Sequence, residues 1–342
     1  MSSAGSSGLR SAIGSQTDGG YAMEALAPAT DIVPLVFCFD KNFAPYAGAS
    51  IASALANSDA FYKIYCIFSS PEEDFPENIV TLCNRYRCEL VKLPISIESF
   101  ADWRLDPNSH FSAAAYYRLL IPQLISEKRA IYLDCDLIVT CGLQRLYSQD
   151  LAGAWIAGCT DPVAAPLSRI PRADADPYLN SGVLLLDLEA LRRELPPAEI
   201  ARIYSENEQL IVFPDQCLIN KMAEGRKLAL PETWNLQFHN RSREELSELI
   251  DANDGKAILH FSGPLKPWMA WAPSRYTAFW SQYARLAGID CAAAIRSPST
   301  LRERIMMAAH FESERQWESA SKLWQELTFA LIAEFQRANP TG

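Results

Sequence analysis

The sequence predicts an α/β fold: a parallel sheet with helices packed on its faces, and a helical extension at the C-terminal end. Three observations carry this prediction. Between residues 32 and 93, strand-length apolar runs alternate twice with helix-spaced segments, giving two consecutive βαβ units. Residues 131–139 and 178–187 are further strand-length apolar runs, each joined to polar groups. After about residue 295 the period becomes helical, with Trp317, Ala320, Trp324, Leu327 and Leu331 on one stripe.

In chain order, 32–39 is a strand ending at Asp40, and small and apolar residues at helical spacing make 43–56 a helix. Residues 62–68, 76–86 and 88–93 follow as strand, helix and strand. Ligands of such sheets bind at the carboxyl ends of strands, where Asp40 and Asn42 lie. Residues 113–124, with Tyr116, Tyr117 and Arg118, form a helix leading into I-Y-L-D-C-D-L-I-V at 131–139. Alternation along a strand would put Asp134 and Asp136 on one side, so they can converge on one cation. Two acids without counter-charge are costly, and oxygen ligands favour Mg²⁺ or Mn²⁺. The plainer alternative is a strand end whose acids face solvent.

Residues 155–159 form a short strand ending near Asp161, and 162–178 is expected as an exposed loop over a site. Asn180, Ser181 and Gly182 open the buried strand that follows, either as a turn or as sugar-facing hydrogen-bonding groups. Pro196 and Pro197 precede a helix over 198–208, and another covers 215–222. Asp215 and Gln216 at its start would by default be a cap. A late strand, 257–261, carries His260, which is either a hydrogen-bonded core residue or a nitrogen ligand to the same cation. The adjoining loop, 262–268, contains Gly263, where a backbone N–H can approach a phosphate, and Lys266, which can neutralise one. A helix over 300–313 and the one marked by the stripe make an α-hairpin that packs on the parent domain, associates with itself, or meets a membrane surface.

Composition narrows the function. A net charge of −10 over 342 residues argues against nucleic acid as a partner, and 49% hydrophobic residues suffice for a substantial core. No run approaches the ~18 consecutive apolar residues of a transmembrane span. The nine cysteines are scattered, without a C-x-x-C pair, which suits a reducing cytoplasm. Residues 1–30, rich in Ser, Gly and Ala with a lone Arg10, read as a disordered leader, and the fold starts near Asp31.

Six segments in order carry a family resemblance: V-F-C-F-D-K-N-F (36–43), Y-Y-R-L-L-I-P (116–122), Y-L-D-C-D-L-I-V (132–139), L-N-S-G-V-L-L-L-D (179–187), P-D-Q-C-L-I-N (214–220) and H-F-S-G-P-L-K-P-W (260–268). Together they resemble glycosyltransferase family 8, retaining metal-dependent enzymes that include lipopolysaccharide galactosyl- and glucosyltransferases and glycogenin. The resemblance implies a GT-A-type, Rossmann-like nucleotide-sugar-binding domain over 31–290, and the helical period beyond it makes 295–338 a helical hairpin. It also implies a UDP-hexose donor and a saccharide or lipid-linked saccharide acceptor, at most peripherally at a membrane. Mn²⁺ (or Mg²⁺) would be held by Asp134, Asp136 and His260. By the same resemblance Asp40 and Asn42 contact uridine, Arg118 the donor, and Gly263 and Lys266 the phosphates. Asn180 and Gln216 contact the transferred sugar, and Asp161 and Asp215 line its pocket. Gln216 is a poor nucleophile, which favours same-face attack with Gln216 steadying an oxocarbenium-like centre.

One position departs from the family, which usually has Asp where this chain has Cys217. That thiol could alter donor choice or rate, or simply fill space in the helix packing. It is also the one hint of an alternative, a catalytically weak UDP-sugar-binding scaffold. A haloacid-dehalogenase-type phosphatase shares the apolar strand and D-x-D, but there the pair stands near the start of the domain and a later acidic pair follows. Here the pair stands at 134 and no Asp-Asp dipeptide occurs.

Overall fold

The strand Val33–Phe39 (β1) is buried on both faces, as a central parallel strand must be, and its apolar sequence suits that position. It is the hub of the computed structural model, which describes residues 32–69, 74–86, 88–96, 103, 114–238, 243–313 and 315–338. The expected leader, 1–30, lies outside the described residues. The helix Ala44–Ala56 returns the chain to Tyr62–Phe68 (β2), and Glu77–Tyr86 returns it to Glu89–Pro94 (β3). β1 pairs in parallel with β2, and β2 with β3, so both βαβ units form.

Beyond β1 the sheet becomes mixed. Arg129–Leu133 (β4) is parallel to β1, whereas Leu179–Asp187 (β7) runs antiparallel to β4 and to Ile156–Thr160 (β6). The order is β3-β2-β1-β4-β7-β6-β8, with β8 at Lys227–Ala229. The sheet is therefore parallel as expected except for one strand, β7, which runs against the other six, since β8 is again parallel to β6. The chain between β6 and β7 turns back along the same edge, and antiparallel neighbours need no crossover helix.

The acidic pair is not on one strand. β4 stops at Leu133, Asp134 to Asp136 form a turn, and Leu137–Val139 (β5) enters a second sheet of order β5-β10-β9. In that sheet β9 is Leu236–Gln237 and β10 is Ile258–His260. The carboxylates converge because the chain turns a corner between sheets, not because of strand pleat. Both ends of the corner are pinned: Asp134 N–H donates to Gly182 O (2.8 Å) and Phe261 N–H to Asp136 O (3.0 Å).

Three further expectations change. The helix over 113–124 breaks into Ala114–Tyr117, a 3-10 turn Arg118–Leu120, and Ile121–Leu124, because Pro122 has no N–H to continue the ladder. Asn180 and Ser181 lie inside β7 and are buried, not in a turn before it. The loop 162–178 is anchored: it contains the helix Ala164–Leu167, buries Ile170 and Tyr178, and pairs Asp176 with the buried side chain of Lys227 at 2.7 Å. Its exposed stretch is 171–175.

The helices Leu301–Ser313 and Trp317–Ala338 pack on each other through Ala308, Leu323 and Leu327, flanked by Met307, Phe311 and Trp324. Of the predicted stripe, Ala320 and Leu327 are buried and Trp324 half-buried, while Trp317 and Leu331 stay exposed.

Candidate active site

Where the two sheets meet, Asp134 and Asp136 from the corner face His260 from the end of β10. His260 Nε2 lies 3.3 Å from Asp136 Oδ1 and 3.8 Å from Asp134 Oδ2. One ligand atom from each residue lies within 4.8 Å of the others, the one such cluster among the described residues. Two carboxylate oxygens and an imidazole nitrogen fit a divalent cation of the Mn²⁺ or Mg²⁺ kind.

Cationic side chains flank this cluster on both sides. Lys266, buried, donates to Asp136 Oδ2 (2.5 Å) and to Phe261 O (3.0 Å). Arg118, placed at the break in its helix, reaches Asp134 Oδ1 at 3.0 Å and donates to Ser181 O at 2.9 Å. Its guanidinium lies 4.5 Å above the Tyr132 ring, and the Tyr132 hydroxyl donates to Asp134 Oδ1 (2.5 Å). Arg118 Nη1 is also 3.0 Å from Asp215 Oδ2, but that oxygen receives no well-aligned hydrogen bond, so the contact is one of charge.

Burial and these partners pull the titrations in opposite directions. Burial favours a neutral Asp136, yet the Lys266 ammonium and His260 outweigh it and hold the carboxyl well below the usual carboxylate range. Asp215 goes the other way: burial raises it, and Arg118 offsets only part of the effect. Burial would lower Arg118, but Asp134 and Asp215 keep its pKa above the ordinary value.

Beside the cluster lies a buried polar pocket. Asn180 Nδ2 donates to Asp161 Oδ2 (3.0 Å) and Gln216 Oε1 (3.2 Å), and Gln216 Nε2 donates to Asp161 Oδ2 (3.1 Å). Asp161 Oδ1 in turn accepts from the N–H groups of Val163 (3.1 Å) and Ala164 (2.8 Å). Asp134, Asp136, His260, Lys266 and Arg118 thus come together, with Asp215 beside Arg118, and Asn180, Asp161 and Gln216 form a second group. Asp40 and Asn42 sit apart from both groups in their contacts: Asp40 Oδ1 accepts from the Asn42 N–H at 2.8 Å, in the turn that follows β1. That turn lies at the same sheet edge as the end of β4, because β1 and β4 are parallel. Gly263, at φ 83°, takes a left-handed conformation that favours glycine.

Sequence reasoning missed Asn235 and Tyr132 and undervalued Gly182. Asn235 precedes a two-residue strand in no recognisable motif, and only the fold brings it to His260, whose Nδ1 is 2.8 Å from Asn235 Oδ1. Gly182 reads as a turn residue, but within β7 its backbone lies against the cluster: a Cβ there would fall 2.2 Å from His260 Cε1 and 2.9 Å from Asp134 Oδ2. Cys217 points elsewhere. It is fully buried with Ala164, Ile170 and Tyr178, where its Sγ accepts from Phe213 N–H (3.4 Å) and lies 3.3 Å from the Tyr178 hydroxyl and 3.8 Å from that of Ser168. The thiol thus fills space in the packing of these residues.

The chain is 26% identical over 253 residues to general stress protein A of Bacillus subtilis, covering 70% of this chain and 88% of that one. It is 24% identical over 257 residues to the lipopolysaccharide 1,2-glucosyltransferase of Escherichia coli K12, covering 71% and 75%. Among solved structures, the galactosyltransferase LgtC in complex with donor and acceptor sugar analogs superposes with a TM-score of 0.62 at 22% identity, covering 75% of this chain and 95% of that one. That likeness establishes a GT-A-type fold, here with a helical C-terminal region. The family model for glycosyl transferase family 8 matches residues 34–272, which span both sheets and every residue of the site, and the chain belongs to that family.

Proposed function

We propose that the protein is a retaining hexosyltransferase that moves glucose or galactose from a UDP-sugar to a hydroxyl of a saccharide acceptor, such as one in lipopolysaccharide or another glycan. The observation that carries this reading is the cluster of Asp134, Asp136 and His260 with Lys266 bonded to it. Bound there, Mn²⁺ or Mg²⁺ would supply charge compensation for a diphosphate leaving group. Lys266, with Gly263 three residues before it, would bind the phosphates, and Arg118, paired with Asp134, would hold the donor. Asn180, Asp161, Asp215 and Gln216 would line the sugar, with the Gln216 amide beside the anomeric carbon during same-face attack. Asp40 and Asn42, at the carboxyl end of β1, would hold the uridine.

We assign the transferase unit to residues 31–290 and a helical hairpin to 295–338. No helix among the described residues is long and apolar enough to cross a membrane. The proposed setting is the cytoplasm, with acceptors reached in solution or at a membrane face. The scaffold alternative rested on Cys217, whose thiol packs among Ala164, Ile170 and Tyr178, and we favour the active enzyme.

UDP release from UDP-glucose and UDP-galactose, with Mn²⁺ or EDTA, tests the proposal. Metal-dependent release from one of them is expected, and no Mn²⁺-dependent UDP binding at all would refute it. Lys266→Ala is expected to slow release by about 10²- to 10³-fold, as for loss of one preorganised charge partner at a leaving group. Its melting temperature in Mn²⁺ should stay near that of the unmodified protein, separating lost chemistry from lost folding. Cys217→Asp should fold normally, because Phe213 N–H and the Tyr178 and Ser168 hydroxyls can donate to a carboxylate there. Its turnover should change by no more than about twofold, equivalent to under ~0.5 kcal/mol, and a large change in donor preference would show that 217 reaches the sugar after all.

A further inference from the structure

We infer that Asn235 is a positioning residue that fixes the His260 ring for cation binding and ties the cation site to the sugar pocket. The inference rests on the function proposed above and adds to it a residue that no motif marks.

The argument begins at one backbone group whose direction is not adjustable. Gly182 N–H donates to Asn180 Oδ1 at 3.0 Å, so this oxygen is the acceptor end of the Asn180 amide. The same oxygen lies 2.8 Å from Asn235 Nδ2, which must therefore be the donor end of Asn235. The other end, Oδ1, then faces His260 Nδ1 at 2.8 Å and can only accept. The proton of a neutral His260 ring is thereby placed on Nδ1, leaving the Nε2 lone pair toward Asp134 and Asp136. The far end of the chain agrees: Asn180 Nδ2 and Gln216 Nε2 both donate to Asp161 Oδ2. Every donor from the imidazole to Asp161 finds an acceptor, with no amide needing to flip. Asn235 is 1% exposed, so water cannot replace it.

Two substitutions separate its roles. Asn235→Leu removes both bonds, whereas Asn235→Asp keeps an acceptor for His260 and sets a second acceptor against Asn180 Oδ1. Mn²⁺ binding to the full-length protein without donor, followed by electron paramagnetic resonance of the free ion, should weaken about 10- to 100-fold in Asn235→Leu, the usual cost of losing a partner that orients a metal ligand. Asn235→Asp should bind Mn²⁺ and UDP within a few-fold of the unmodified protein, yet lose about tenfold or more in kcat for UDP-sugar turnover. An Asn235→Leu protein that binds Mn²⁺ normally would overturn the inference while leaving the proposed function intact. An unmodified protein that binds no Mn²⁺ would instead overturn both.

A measurement on the unmodified protein covers the case in which Asn235→Leu fails to fold. With four histidines in the chain, nitrogen-15 resonance of histidine-labelled, metal-free protein at a pH where the rings are neutral can locate the His260 proton. A proton on Nδ1 is expected, and a proton on Nε2 would refute the assignment.

Discussion

Asp136→Ala is expected to lower metal-dependent UDP release by about 10³-fold or more, and saturating Mn²⁺ should not restore it. Asp136 joins the cation cluster to Lys266. It offers one oxygen to the cation cluster, facing His260 Nε2 at 3.3 Å, and the other to Lys266 Nζ at 2.5 Å. Its removal takes one of two carboxylates from the cation and leaves a buried ammonium with Phe261 O as its remaining hydrogen-bond partner. On the proposed function, a lost cation ligand and a displaced lysine would both weaken stabilisation of the leaving group, so the rate should fall further than with Lys266→Ala. Rates and Mn²⁺ affinity measured on one preparation check this. Retention of about a tenth of the normal rate, a loss of only ~1.4 kcal/mol, would remove Asp136 from the centre of the site.

The second large effect is expected from Gly182→Ala, a substitution of one methyl group on a residue with no side chain of its own. The new Cβ would stand 2.2 Å from His260 Cε1 and 2.9 Å from Asp134 Oδ2, well inside van der Waals contact. Relief by shifting β7 is blocked, since Gly182 O accepts from Asp134 N–H and its own N–H is bound to Asn180. The imidazole must swing away, so Mn²⁺ affinity and turnover should collapse together, with a folding cost of about 1–3 kcal/mol, typical of overpacking. Titration calorimetry with Mn²⁺ and a thermal melt distinguish the two components. Normal Mn²⁺ affinity in the variant would show that His260 has room this geometry denies it.

Much of this architecture was legible in residue order, and the parts that were not have identifiable causes. The βαβ units are local patterns: each strand and helix is set by its own periodicity, and β1 to β3 formed as read. The corner at Asp134 was misread because an apolar run is silent about which sheet it pairs with. Leu133 and Leu137 look equivalent in sequence, yet β4 pairs with β1 and β7 while β5 pairs with β10. The direction of β7 was hidden for the same reason, since strand pairing is a tertiary choice. Within the site, the charged residues were found because acids, a histidine and a lysine advertise chemistry. Asn235 was missed and Gly182 undervalued, because a neutral amide and a missing side chain acquire meaning only from what the fold sets beside them.

The position of the cation cluster at the corner has a thermodynamic consequence. Asp134 and Asp136 leave the seven-stranded sheet, whereas His260 belongs to the three-stranded one, so whatever the three residues hold together also fastens one sheet to the other. Occupancy is then linked to cooperativity of unfolding: a cation at 100 times its dissociation constant would add about 2.7 kcal/mol to the folded state. The seam should open earlier than the rest when empty, and amide exchange around Phe261 and Gly182 would report it as protection gained with each increment of Mn²⁺ or Mg²⁺.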